Sequence, residues 1–246
     1  MYDPKGNAKD RATDAVQFAE SEPPEDLRGI VHRFLSLHTT APLATPYRFH
    51  ALPDACTYVV FDQSWVDVAG VTRLRASSQE LSLGISFHFV NIRFLPGVWQ
   101  GPRDRVLYGQ VDAPYEGDLP LVQVNQRLKG ADFQAQQEVL ADLVRGLMAR
   151  GLLVANPVTE KIFARIDDVH SVADMAEIAA LSPRQLQRVL KATTGFAPHD
   201  FLKVLRLQQS LRGEPSLSYA DQSHFIHSFR KATGYTPGQY ARKFDV

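Results

Sequence analysis

Residues 183 to 194 read PRQLQRVLKATT, and Arg184, Gln187, Arg188 and Lys191 stand there at spacing i, i+3, i+4, i+7. On a helix that spacing gathers four long hydrogen-bond donors into one stripe. Leu186, Val189 and Leu190 fall on the opposite, inward side. An arginine fork matches the acceptor pair on guanine, and a glutamine amide matches the edge of adenine, both in the major groove of DNA. Lys191 and the remaining arginine suit phosphate oxygens. Every amphipathic helix has a polar outer face, so the stripe alone favours base reading no more than plain solvation.

The same grammar is written again 39 positions later. Lys191 corresponds to Arg230, Gly195 to Gly234, Phe196 to Tyr235, Pro198 to Pro237 and Phe201 to Tyr240. In the second copy Phe225 and Phe229 supply the inward face, and Asp221 takes the cap position. The outward stripe is Ser223, Ile226, His227 and Arg230, with Gln222 beside it. His224 and His227 have a spacing that a metal ion accepts, but no Cys or carboxylate stands near enough in sequence to complete a site. No metal and no cofactor is expected.

The elements that position these residues are legible from caps and breakers. Ser171 caps a helix with apolar Val172, Met175, Ala176 and Ala179, and Asp174 complements its N-terminal dipole. Ser182, followed by Pro183 and by Gln185 three residues on, opens a second helix with a capping box. Gly195 closes it and Pro198 forbids its continuation. Two short helices across a tight turn predict a helix-turn-helix. The second copy differs: "LRGEPSLSYA" occupies the place of the first helix, and Gly213 and Pro215 oppose a helix there. Phe225, Phe229 and Tyr219 are therefore expected to lose their usual cover.

The rest of the chain is of another kind. Residues 1–26 are polar, with Pro23 and Pro24, and are expected to be a disordered tail. Residues 27–130 form a β-rich region. Leu81, Leu83, Ile85, Phe87 and Phe89 alternate with polar or small residues, predicting one strand, and the phase flips near Phe89 as at a bulge. "TYVVFD" and "WVDVAG" predict further strands. Residues 131–166 read as connecting helices that pack on the sheet or form a dimer seam, and 167–246 as the helix-turn-helix domain. The fold class is α+β: an antiparallel β barrel or sandwich followed by an all-α domain.

Composition narrows the function classes. The 246 residues carry no net charge, but residues 161–246 hold 12 Lys+Arg against 8 Asp+Glu. That modest basic excess suits phosphate. Cys56 is the single cysteine and excludes an internal disulfide, in keeping with a reducing, cytoplasmic setting. No apolar run is long enough to span a bilayer and no membrane partner is expected. Glycine phosphate loops and serine nucleophile elbows are absent, and His32, His38, His50 and His88 are scattered, so catalysis is not expected. Tyr58, Phe87, Phe89 and Trp99 are candidates to line an effector pocket, although ordinary core explains each more simply. Asp54 and Arg93 are the polar candidates, which ion pairing explains equally well.

Residues 165–243, with "VADMAEIAALSPRQLQRVLKATTGFAPHDFLKVLRLQQSL" and "YADQSHFIHSFRKATGYTPGQYAR", resemble the paired helix-turn-helix domain of AraC-type transcription regulators. "LPDACTYVVF" and "NIRFLPG" are similar, more weakly, to the sensor domain of one branch of that family. The resemblance implies a cupin-like β domain that takes an effector or mediates association, and a C-terminal domain that binds double-stranded promoter DNA. It also implies RNA polymerase as partner if the protein activates, with a homodimer left open and the effector unassigned. Base-contact candidates carried over are Arg184, Gln187 and Arg188, then Gln222, Ser223, Ile226 and His227. About a dozen residues of the family pattern are missing between Arg206 and Tyr219, including the second supporting helix. That gap supports a rival reading, a ligand-binding or interaction protein with impaired DNA binding.

Overall fold

A computed structural model describes residues 2–4, 7–10, 14–72, 74–101, 113–211 and 222–245. The strands are β1 (Asn7–Asp10), β2 (Val16–Ser21), β3 (Val31–Thr39), β4 (Arg48–Ala51), β5 (Tyr58–Asp62), β6 (Ala69–Val71), β7 (Gln79–Ser82), β8 (His88–Phe94) and β9 (Phe244–Asp245). They form a five-stranded sheet, β2-β3-β8-β5-β6, and a four-stranded sheet, β7-β4-β1-β9, with every recorded pairing antiparallel. The helices are α1 (Leu121–Leu128), α2 (Phe133–Ala149), α3 (Pro157–Ala164), α4 (Val172–Ala179), α5 (Pro183–Thr194), α6 (Pro198–Leu211), α7 (Gln222–Thr233) and α8 (Pro237–Lys243). The α+β expectation holds, with the sheets first and the helical region after them.

Three expectations need correction. The N-terminal tail is not all irregular: β2 pairs along six residues with β3, and β1 lies between β4 and β9. Both gain ladder hydrogen bonds that a polar sequence gives no reason to expect. The alternating run 81–89 is two strand ends rather than one strand. It leaves β7 of the four-stranded sheet after Ser82, turns at Gly84 with φ +80, and enters β8 of the five-stranded sheet at His88. The phase flip falls inside β8, where Phe89 faces the space between the sheets and Val90, Ile92 and Phe94 face the core beneath α1 and α2. "WVDVAG" yields only β6, and its Trp65 is 69% exposed.

The core of the five-stranded sheet is covered by α1 and α2. Leu140, Leu143, Val144 and Leu147 of α2 join Phe34, Val59, Phe61, Val90, Ile92 and Phe94 in one apolar cluster. The inward face of α2 is thus spent on the chain's own core. Trp99, with 1% exposure, belongs to this cluster, and its indole N–H donates to the Gly101 carbonyl at 2.9 Å. Asn125 of α1 is fully buried, with Nδ2 lying 3.0 Å from the carbonyl oxygens of Asp62, Val66 and Val68. That side chain ties down the 62–68 turn, which no sequence pattern announced.

Candidate nucleic-acid interface

The first copy forms as its caps require. Ser171 accepts from the Asp174 backbone N–H while Asp174 accepts in return, opening α4. Ser182 and Gln185 do the same for α5, with Pro183 in its first turn. Ala180 closes α4 in the left-handed region at φ 56, and Gly195 closes α5 at φ 74, where glycine carries no Cβ penalty. Leu186 and Leu190 have no exposed surface, in one cluster with Met175 and Ala179 of α4 and Phe201 and Leu205 of α6. Burial of each leucine contributes roughly 1.5–3 kcal/mol. Arg184, Gln187, Arg188 and Lys191 are all exposed on the opposite face. Lys191 Nζ donates to the Gly195 carbonyl at 3.0 Å, which draws this end of the stripe back toward its own C-cap.

The second copy places Ser223, Ile226, His227 and Arg230 on the exposed side of α7. The side chains of Gln222 and His224 lie outside the described residues, as do Asp221 and Tyr219. Phe229 is only 3% exposed, so the expected loss of cover is not what happens to it. Tyr240 meets its ring edge-on at 5.4 Å, and Leu207, Phe244 and Leu52 complete the cluster, with Phe225 partly buried beside them. Leu52 follows β4, so this core is drawn partly from the β domain. No group of three His, Cys, Asp or Glu among the described residues has metal-binding placement.

A cavity of about 710 Å³ is lined by strands of both sheets. Tyr58, Phe87 and Phe89 line it as the sequence suggested, but Trp99 does not. Phe18, Leu37, Phe49, Leu81 and Trp65 are lining residues that the sequence reading missed, since they arrive from five separate segments. Asp54 and Arg93 are buried elsewhere and are not lining residues. Asp54 accepts from the Tyr58 hydroxyl and from the Cys56 backbone N–H, while burial pushes its carboxyl up to about 6. Arg93 Nε donates to His32 Nδ1 at 2.9 Å, and burial lowers His32 to about 4. These are internal polar networks behind the docking surface for the helices. Tyr2 stacks on Phe163 of α3 at 4.4 Å, and Gln208 of α6 donates to the Pro53 carbonyl at 2.8 Å.

No family model matches the chain. A curated protein does: 27% identity over 95 residues links it to the HTH-type transcriptional regulator MtrA of Neisseria gonorrhoeae. The resemblance to AraC-type regulators stands. That match covers 34% of this chain, and the chain spans only about a third, 32%, of that relative's length. The relative is named as a transcriptional regulator. Two structures of ToxT from Vibrio cholerae align over 94% of the chain at 10% identity, with TM-scores of 0.41 and 0.44. Among the described residues no helix is long and apolar enough to cross a membrane.

Proposed function

We propose that the chain is a sequence-specific DNA-binding transcription regulator that reads the major groove with α5. One observation carries the reading: Arg184, Gln187, Arg188 and Lys191 are all exposed on a helix whose opposite leucines are fully buried. The stripe is rigidly backed, doubly capped, and free to lie against base edges. The helix α7 supplies Ser223, Ile226, His227 and Arg230 as weaker contacts, Arg230 being the one arginine of the set. Promoter DNA is the partner, in the cytoplasm, and RNA polymerase is a further partner if the protein activates. The cavity between the sheets is the place for a small effector, given its size and its mixed apolar and polar lining.

A competition binding assay tests the assignment. Arg184→Ala with Arg188→Ala should lower specific affinity by roughly 30- to 20,000-fold, taking 1–3 kcal/mol for each base contact. His227→Ala should change it less than threefold. The opposite ranking rejects α5 as the reading helix. The rival reading, a ligand-binding or interaction protein with decayed DNA binding, rests on the dozen or so residues of the family pattern missing between Arg206 and Tyr219. Absence of any salt-sensitive shift on its own promoter region at low salt would favour that rival.

A further inference from the structure

Cross-strand neighbours on β4 and β7 face two different places. Phe49 pairs with Leu81, and both line the cavity. The adjacent pair, His50 with Glu80, faces α8 and the turn that joins α7 to it instead. Successive residues of a strand point to opposite sides, so one thickness of sheet separates the cavity from the second helix-turn-helix. We propose that this four-stranded sheet replaces the missing supporting helix of the second copy, and that it relays the state of the cavity to α7.

The contacts that dock the second copy are specific. His50 is 2% exposed and lies among three rings, stacked on Phe244 at 4.9 Å and near Tyr240 and Tyr235 at 5.4 and 5.8 Å. Its Nδ1 is 3.1 Å from the Tyr240 hydroxyl. Glu80 accepts from the Tyr235 hydroxyl at 2.8 Å and from Lys243 Nζ at 3.0 Å. The Ser78 backbone N–H donates to the carbonyl of Ala232, inside α7, at 2.9 Å. Finally β9 extends the sheet itself by pairing with β1. A helix with a supporting partner of its own needs none of these, whereas α7 is held by the Ser78 hydrogen bond, by the cluster of Phe229 with Leu52, and through α8, which the side-chain clamp and the β9 pairing fix to the sheet. A ligand that pushes on Phe49 or Leu81 pushes on the same two strands that hold α7.

The regulatory meaning rests on the cavity being an effector site and α7 a DNA contact, but the mechanical claim needs neither. Amide hydrogen exchange on the full-length protein, without ligand or DNA, compares the peptides covering 222–243 and 172–194. Glu80→Ala removes one surface carboxylate and leaves the core intact. It is expected to speed exchange in 222–243 by about tenfold or more and leave 172–194 unchanged. Leu81→Trp and Leu37→Trp both fill the cavity, from the four-stranded and the five-stranded sheet respectively. Only the first should alter exchange in 222–243. Unchanged exchange in Glu80→Ala overturns the docking, and equal effects of the two tryptophans overturn the relay. A failed DNA shift would leave both results standing, so the two proposals fail separately.

Discussion

Behind α5 stand Leu186 and Leu190, clustered with Met175, Ala179, Phe201 and Leu205 from the flanking helices. Behind α7 stand Phe225 and Phe229, clustered with Leu207, Tyr240 and Phe244 and with Leu52 from beside the β sheet. The first copy does touch the β domain, through Tyr2, Ala55, Cys56 and Tyr58, but most of its core comes from α3 to α6. In the second, the β domain supplies part of the core, a backbone hydrogen bond and a strand pairing. One sequence motif has therefore been stabilised in two ways. The difference shows that a helix of this motif needs a backing surface and not a particular kind of element.

The largest break in that comparison comes from matched aromatic truncations. Phe201 has no exposed surface and Phe229 has 3%. Each change to Ala costs about 3–5 kcal/mol by lost transfer energy and cavity formation. Phe201→Ala should lower the main thermal transition, because its cluster joins the first copy to the β domain. Phe229→Ala should instead release 222–245 first, visible as early proteolysis there with a smaller shift in the main transition. Equal shifts in both variants would mean that the two copies unfold as one unit.

Acid provides the next test. Burial lowers His50 to about 4, with nearby Lys243 and Arg75 adding to the effect against the opposing pull of Glu80. His32 is likewise lowered to about 4, mainly by burial. A histidine depressed in the folded state binds its proton more readily when unfolded, so stability falls as pH drops from about 6.5 to about 4. At pH 5 each contributes a loss of about 2 kcal/mol. Asp54, raised to about 6, acts in the opposite sense between about 6 and 3.8 and offsets part of the loss. Because His50 lies at the seam of the second copy, exchange in 222–243 should accelerate at pH 5 ahead of that in 172–194. A His50→Phe variant should remove that early phase while the His32 contribution to the melting temperature persists.

The first copy was legible because each of its signals is local. Ser171, Ser182, Gln185, Gly195 and Pro198 act within one turn of themselves, and the leucine spacing defines the buried face without reference to the rest of the chain. The second copy was legible as helices but not as a docked unit. Its cover comes from His50, in a strand of only four residues, and from Leu52 just after it, nearly two hundred residues away. Tertiary packing of that kind leaves no periodicity to read. The same holds for β1 and β2, whose polar sequences become strands only because β4, β9 and β3 offer them edges. The cavity was half-legible: Tyr58, Phe87 and Phe89 line it, yet aromatic content alone gave no ground for separating them from Trp99, which is core.

The smallest effect gives the sharpest comparison, because each copy carries a capping box of the same chemistry, on α5 in the first and on α8 in the second. Ser182 accepts from the Gln185 backbone N–H at 3.3 Å, and Thr236 accepts from that of Gln239 at 3.4 Å. In both, the glutamine side chain reaches back to the cap residue's own N–H, at 2.9 and 3.0 Å. Removing the hydroxyl by Ser182→Ala or Thr236→Ala therefore deletes the same chemistry, about 1 kcal/mol in each case. What differs is where that energy is felt. Helix α5 belongs to the cluster that unfolds with the whole chain, so Ser182→Ala should lower the melting temperature by a few degrees. Helix α8 is held to the sheet by His50 and Glu80, so Thr236→Ala should leave the melting temperature nearly unchanged. It should raise exchange within 222–243 by about fivefold, the factor that 1 kcal/mol gives. If Thr236→Ala instead lowers the main transition as much as Ser182→Ala does, the second copy is as fully part of the global core as the first, and the contrast drawn between them fails.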